Sequence, residues 1–123
     1  MSKQAIHEAA IATQLGKMTF PRVVQTLLAA GVESYLVDLS AARKTHYLAD
    51  GTTVTVPMIL EPGPIAGDFD GGALVAAIRG AQADTVRYPE FVKRSAAAGV
   101  IGYWAFLTGR RVIYFGRKGE QHI

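Results

Sequence analysis

The chain contains an internal duplication, and this feature constrains its fold more than any other. Residues 4–55 align with residues 72–123 at a constant offset of 68 positions and without a gap. Thirteen of the 52 paired positions are identical, among them the pair Gly31/Gly99. Chance would give about one identity in fifteen positions at average composition. The sequence therefore encodes two copies of one structural unit.

The two copies are expected to share one hydrophobic core. A unit of this size seldom builds a stable core without disulfides or a metal, and the chain of 123 residues has no cysteine. We therefore predict a single domain, residues 1–123, built of the repeats 4–55 and 72–123. A crossover rich in Pro and Gly, residues 56–71, joins them.

Each copy has the pattern of two helices followed by a β-hairpin. In the first copy, apolar residues at spacings of three and four predict helices near 5–15 and 20–30, and the second helix ends at Gly31. Alternation over 34–39 predicts a strand, 44–48 its return, and 52–56 a third strand. The fold class is α+β: a two-layer fold with an antiparallel sheet, helices on one face and pseudo-twofold symmetry.

Composition indicates a cytoplasmic protein without a membrane segment. The chain lacks cysteine, a secretory signal and an apolar run long enough to span a bilayer. Charge is uneven, because residues 1–71 carry a net −2 and residues 72–123 a net +5. This asymmetry would suit an anion-binding face, although an ordinary solvated surface is the alternative reading.

The two copies diverge most in the first strand of the hairpin. Leu36 and Asp38 of the first copy correspond to Trp104 and Phe106 of the second. These aromatic side chains are either buried on both sides of a central hairpin or exposed as a contact surface. The candidate interface comprises Trp104, Phe106 and Tyr114, and its expected partner is a second copy of the chain or another protein.

A second function is suggested by basic residues that flank these aromatic strands. The candidate anion-binding residues are Arg110, Arg111, Arg117 and Lys118. Basic side chains between aromatic ones are the ingredients of a single-stranded nucleic-acid platform. Nucleic acid, or another polyanion, is therefore the alternative partner.

The sequence has no catalytic, cofactor-binding or metal-binding motif. His7, His46 and His122 lack the spacing of metal ligands. His46 is expected at the surface or half-buried, and His122 in a frayed terminus. A third function class, an enzyme with its site in the groove between the copies, would require a concave pocket with titratable residues of shifted pKa.

The short motifs of the two copies carry a family resemblance. The motif Thr19-Phe20-Pro21 with the Ala29–Val32 turn is echoed by Tyr88-Pro89 with Ala97–Val100. This pattern resembles the bacterial domain-of-unknown-function family typified by the prophage protein YbcV, whose members are sometimes labelled phage envelope protein. The resemblance implies an α+β duplication and assigns no activity or cofactor. We therefore predict a small, non-enzymatic binding or protein-interaction module of prophage type.

Overall fold

The computed structural model describes residues 2–123 as four helices and six strands. The first unit comprises α1 (Ser2–Gln14), α2 (Phe20–Ala29), β1 (Val32–Asp38), β2 (Arg43–Leu48) and β3 (Thr53–Pro57). The second comprises α3 (Gly71–Gln82), α4 (Tyr88–Ala97), β4 (Val100–Phe106), β5 (Arg111–Gly116) and β6 (Gln121–His122). The predicted α+β class and the repetition of the unit are confirmed.

The strands form one antiparallel sheet in the order β3-β2-β1-β4-β5-β6. The first strands of the two units, β1 and β4, lie side by side at its centre, where Leu36 pairs with Trp104. These two residues occupy the same position in the two copies. The pseudo-twofold axis therefore passes through this pair, and each unit contributes one half of the sheet.

Helices cover one face of this sheet, and most side chains on that face are buried. The row of side chains on the covered face crosses all six strands in register: Val56, Lys44, Val37, Tyr103, Tyr114 and His122. The core beneath the helices includes Ile6, Leu27, Leu74 and Val92, each at most 1% exposed. Among residues 2–123, no helix is both long and apolar enough to cross a bilayer.

The second helix of each unit, α2 or α4, has a proline in its first turn and a glycine after its end. Proline lies in the first turn of both α2 and α4, where its missing N–H costs no hydrogen bond. Gly31 and Gly99 follow these helices with φ of +87° and +88°, a conformation that side chains disfavour. A Cβ on Gly31 would meet no atom within 4 Å, whereas one on Gly99 would lie 2.3 Å from the carbonyl oxygen of Asp68. The crossover therefore packs directly on the end of α4.

Two predictions about histidines are wrong. His46 is only 2% exposed, because alternation along β2 turns it to the covered face opposite Tyr35. His122 belongs to β6 and pairs with Tyr114 rather than fraying. The second hairpin thus gains a third strand, as the first one does with β3.

Candidate ligand-binding cavity

A cavity of about 350 Å³ lies between the helices and the centre of the sheet. Its lining comes from equivalent positions of both copies, such as Tyr35 with Tyr103 and Val23 with Phe91. The exposed lining residues Phe20, Arg87 and Ile123 place its opening near the starts of α2 and α4 and the end of the chain. Cavities that hold small organic ligands have volumes of about 300–1,000 Å³. The space is therefore sufficient for such a molecule.

The second copy supplies an aromatic wall. Phe91 contacts Tyr103 and Tyr114 edge-on, with ring centroids 6.3 Å apart in both pairs, and stacks on Tyr88 at the same distance. The Tyr103 and Tyr114 rings lie 5.2 Å apart. Edge-on and offset contacts of this kind hold the rings in fixed orientations. The wall therefore presents a rigid apolar surface to the cavity.

The most unusual lining residue is Lys44, which is 3% exposed. Its Nζ lies 4.2 Å from the centre of the Tyr88 ring, a cation–π distance. Within residues 2–123, no carboxylate forms an ion pair with it. Burial lowers the pKa of Lys44 from its ordinary value of 10.5 to about 7. The amine is therefore near its midpoint of protonation at neutral pH.

His46 lies two residues further along β2, on the same face. Its Nδ1 donates to the carbonyl oxygen of Val54 at 3.2 Å, which leaves Nε2 as the acceptor. Its ring stacks on Tyr35 with centroids 5.7 Å apart. Burial lowers the pKa of His46 to about 4; the Val54 hydrogen bond opposes this shift, and the charges of Lys44 and His7 add smaller contributions to it. The imidazole is therefore neutral at physiological pH.

The tyrosine hydroxyls of the cavity are protonated. Burial is the main cause that raises the pKa of Tyr35, Tyr88 and Tyr103, and it raises that of Tyr114 to about 12. The hydroxyls of Tyr88 and Tyr103 are hydrogen-bonded to each other at 2.8 Å. The cavity therefore offers neutral hydroxyls that can donate or accept a hydrogen bond.

The cavity lining differs between the two sides of the pseudo-twofold axis. Lys44 and His46 of the first copy correspond to Val112 and Tyr114 of the second, and all four line the cavity. Among the lining residues that the structure describes, Asp84 alone is acidic; it is exposed and pairs with Arg87 at 3.4 Å. The first copy thus contributes the amine of Lys44 and the imidazole of His46, and the second copy contributes the aromatic wall together with His122.

Metal binding finds no support in this arrangement. Nowhere in residues 2–123 do three His, Asp or Glu side chains lie close enough together to hold a metal ion. Of the cavity's nitrogen groups, two are imidazoles, those of His46 and His122, and the amine of Lys44 is not among the usual metal ligands. The chemistry available is that of an amine, two imidazoles and phenolic hydroxyls.

Trp104 and Phe106, the candidate interface residues, lie on the uncovered face of the sheet. Both are partly buried. Trp104 is stacked between Tyr47 and Phe106, with centroid distances of 5.5 and 5.3 Å. The sequence left open whether this pair would be core or surface, and the structure gives an intermediate answer: the two rings stack in a row with Tyr47 and are partly buried.

Tyr114, the third candidate interface residue, lies on the opposite face. Tyr114 pairs with Tyr103, so its side chain faces the helices, and it is 9% exposed. Tyr114 is the neighbour in sequence of Ile113, which pairs with Trp104, and neighbouring side chains of a strand point to opposite faces. The side chains of Tyr114 and Trp104 therefore lie on opposite faces of the sheet. The grouping of Tyr114 with Trp104 and Phe106 as one surface is corrected accordingly.

The four candidate anion-binding residues do not form one cluster. Arg110 and Arg111 lie where β5 begins, and Arg117 and Lys118 follow its end. At roughly 3.4 Å per residue, the two pairs are separated by about 20 Å. Lys118 also lies 3.9 Å from a carboxylate oxygen of Asp68. The basic surface is therefore divided between the two ends of one strand.

Reasoning from sequence overlooked Lys44, although a signal for it was present. A four-residue connection, 39–42, places Lys44 opposite Val37 and His46 opposite Tyr35. Val37 and Tyr35 belong to the apolar face of β1, so their partners on β2 must lie on the same face. A lysine on the core side of a hairpin, with no acidic neighbour on that face, indicates a cavity or a functional group.

Comparison with known proteins relates the whole chain to mycobacterial proteins. It is 32% identical over 122 residues to the uncharacterized protein Rv2012 of Mycobacterium tuberculosis, an alignment that covers 98% of this chain and 74% of the relative. The uncharacterized protein Mb2035 of Mycobacterium bovis matches with the same identity and coverage. No protein-family model matches the chain. The chain therefore belongs to the same family as these mycobacterial proteins.

Proposed function

We propose that this chain, as a member of the family of these mycobacterial proteins, binds a small organic molecule in the cavity. The ligand has a flat apolar body and one oxygen-bearing head group, a carboxylate or a carbonyl. The resemblance to the prophage family typified by YbcV implies an α+β duplication and no activity. It assigns no ligand, so the chemistry of the ligand is inferred from the cavity alone.

The observation that carries the proposal is the burial of Lys44 at the cavity without a carboxylate partner in the described part of the chain. An unpaired buried ammonium is costly for folding, because it gives up its hydration. Groups with strongly perturbed pKa in a cleft are concentrated at functional sites. A ligand oxygen that accepts a hydrogen bond from Lys44 would offset this cost, which favours a binding role over a purely structural one.

The aromatic wall determines the body of the ligand. Tyr88, Phe91, Tyr103 and Tyr114 offer ring edges and faces on which a flat apolar molecule can pack. A cavity with predominantly apolar walls and a few polar groups is typical of small-molecule sites. Two fused rings, as in naphthalene, suit its volume of about 350 Å³.

Binding of 2-naphthoate, measured by calorimetry and by NMR chemical shifts, tests the proposal. We expect saturable binding whose shift changes map to the cavity lining. Lys44→Met should weaken binding by about tenfold or more, since a hydrogen bond to a charged group contributes about 1.5–3 kcal/mol. Lys93→Met, which removes an exposed lysine of α4, is the matched control and should bind as the unmodified chain does.

Shift changes that are scattered over the surface, or equal affinity in Lys44→Met, would contradict the proposal. The alcohol 2-naphthalenemethanol separates the contributions of body and head group. It should bind in the same place and more weakly, because it lacks the negative charge that favours the protonated amine.

A second candidate function is self-association through the uncovered face of the sheet. The row Tyr47, Trp104 and Phe106 supports it, because apolar side chains on an uncovered face are frequent in interfaces. Light scattering over a range of concentrations should give the mass of a dimer that Trp104→Ala shifts to a monomer. A monomer mass at every concentration would exclude it. The divided basic residues carry no third proposal.

A further inference from the structure

We infer that Lys44 forms a reversible imine with aldehydes or ketones that enter the cavity. The inference rests on the proposed function and extends it: the head group of the ligand is a carbonyl, and this carbonyl bonds covalently to Lys44. It rests on the position of one amine, which is buried, faces the cavity, lies over the Tyr88 ring and has no carboxylate partner among residues 2–123.

The position of Lys44 favours a nucleophilic amine. Only the neutral amine has the lone pair that attacks a carbonyl, and lysine in an apolar pocket is a recognised way to obtain it. The pKa of about 7 means that roughly half of the molecules carry the neutral form at neutral pH. Lysines at ordinary exposed sites are almost entirely protonated under these conditions. Selectivity among the five lysines of the chain follows from this difference.

The aromatic surroundings restrict where the amine can point. Lys44 extends from β2, and Tyr88 is the first residue of α4, so the contact of 4.2 Å joins the two units of the fold. The Tyr88 hydroxyl is fixed by its hydrogen bond to Tyr103 at 2.8 Å. An amine held in one orientation beside an apolar wall meets an aromatic carbonyl compound at a defined place, which lowers the entropic cost of reaction.

The covalent step needs no reagent beyond the carbonyl compound. The lone pair of Nζ forms a bond to the carbonyl carbon while the π electrons of the C=O bond move to oxygen. A proton passes from nitrogen to that oxygen and gives a carbinolamine. The nitrogen lone pair then forms the C=N bond as the C–O bond breaks, and the remaining proton of the nitrogen passes to the departing oxygen, which leaves as water. One amine and one carbonyl thus yield one imine and one water.

The cavity holds groups suited to these proton transfers. Tyr88 and Tyr103 remain protonated because burial raises the pKa of both hydroxyls, so they can donate hydrogen bonds to an oxygen that gains negative charge. His46 lies on the same face of β2, with Nε2 as an acceptor because Nδ1 donates to Val54. These groups would assist the step, and Lys44 alone forms the bond.

Borohydride trapping with 2-naphthaldehyde tests the inference. The aldehyde matches 2-naphthoate in shape, and borohydride reduces the imine to a stable secondary amine. We expect one naphthylmethyl group per chain by intact mass, located at Lys44 by peptide mapping and at least tenfold more abundant there than at any other amine. Lys93→Met should be labelled in the same way. Lys44→Met and Lys44→Arg should both lose this label.

The pattern of outcomes separates this inference from the proposed function. Binding of 2-naphthoate without labelling at Lys44 would overturn the imine and leave the binding site. Labelling spread over exposed lysines would overturn it also. Excess 2-naphthoate should suppress labelling of the unmodified chain at Lys44, which tests the inference even if a Lys44 variant fails to fold. Absence of both binding and labelling would overturn the two proposals together.

Discussion

Replacing Lys44 with methionine should make the protein more stable. The pKa of about 7 in the folded chain, against 10.5 ordinarily, measures how much burial disfavours the ammonium. Each pH unit of such a difference corresponds to about 1.4 kcal/mol, so the cost at pH 7 is roughly 4 kcal/mol. Methionine has a similar length and no charge. It forgoes the cation–π contact with Tyr88, worth about 1 kcal/mol, and a net gain of about 3 kcal/mol remains.

The pH dependence of this gain follows from the direction of the shift. Between pH 7 and 10.5, the unfolded chain holds a proton on Lys44 that the folded chain has released, so the stability of the unmodified protein rises with pH. The gap between Lys44→Met and the unmodified chain should be largest at pH 7 and below. It should shrink by about 1.4 kcal/mol for each pH unit above 7.

Urea unfolding of both proteins between pH 6 and 9.5 measures this gap. Groups other than Lys44 titrate in both proteins and cancel in the difference. Lys93→Met changes an exposed side chain and should alter the free energy of unfolding by less than about 0.5 kcal/mol. A Lys44→Met protein that is less stable than the unmodified one, or a gap that is constant with pH, would show that the site does not penalise the ammonium.

Three further predictions concern the ligand, the turns and a helix cap. The dissociation constant of 2-naphthoate should rise by up to about tenfold per pH unit above 7, because the carboxylate pairs with protonated Lys44. In calorimetry from pH 6 to 9, the dissociation constant of Lys44→Arg should not change with pH, because arginine stays protonated. Gly31→Ala should cost about 1–2 kcal/mol of unfolding free energy for its positive φ. Gly99→Ala should cost at least roughly twice as much, because its Cβ also meets the crossover backbone; equal costs in urea unfolding would refute this contact. Asp70→Ala should lower stability by about 1 kcal/mol, since its side chain accepts from the N–H of Ala73 at 3.0 Å, whereas Thr19→Ala, at a cap without such a bond, should be nearly neutral.

The fold was largely predictable because its signals are local and occur twice. Proline near the start and glycine after the end of α2 recur in α4, and alternation marks β1 and β4 independently. The sequence does not show which strands of the two hairpins pair with each other. The pairing of β1 with β4 depends on packing of the whole chain, and it decides that Trp104 faces away from the helices while Tyr103 faces them.

The candidate site was not predictable from motifs, because no local pattern encodes it. Lys44 and His46 have ordinary neighbours in sequence, and their burial follows only from the register of β2 against β1. Tyr88 lies in a different unit, at the start of α4, and its contact with Lys44 forms only when the two units pack on one another. His122 reaches the cavity through β6, a two-residue strand that is too short to recognise by alternation.

The pseudo-twofold axis through Leu36 and Trp104 has a consequence for how a ligand is oriented. A cavity with identical halves would offer every asymmetric molecule two poses of equal energy, related by a half-turn. Lys44 and His46 on one side, and Val112 and Tyr114 on the other, remove this degeneracy. A difference of about 1.4 kcal/mol between the poses already gives a tenfold preference. In the proposed binding mode, the duplicated scaffold supplies the shape of the cavity, and the differences between its copies, Lys44 and His46 foremost, favour one of the two poses.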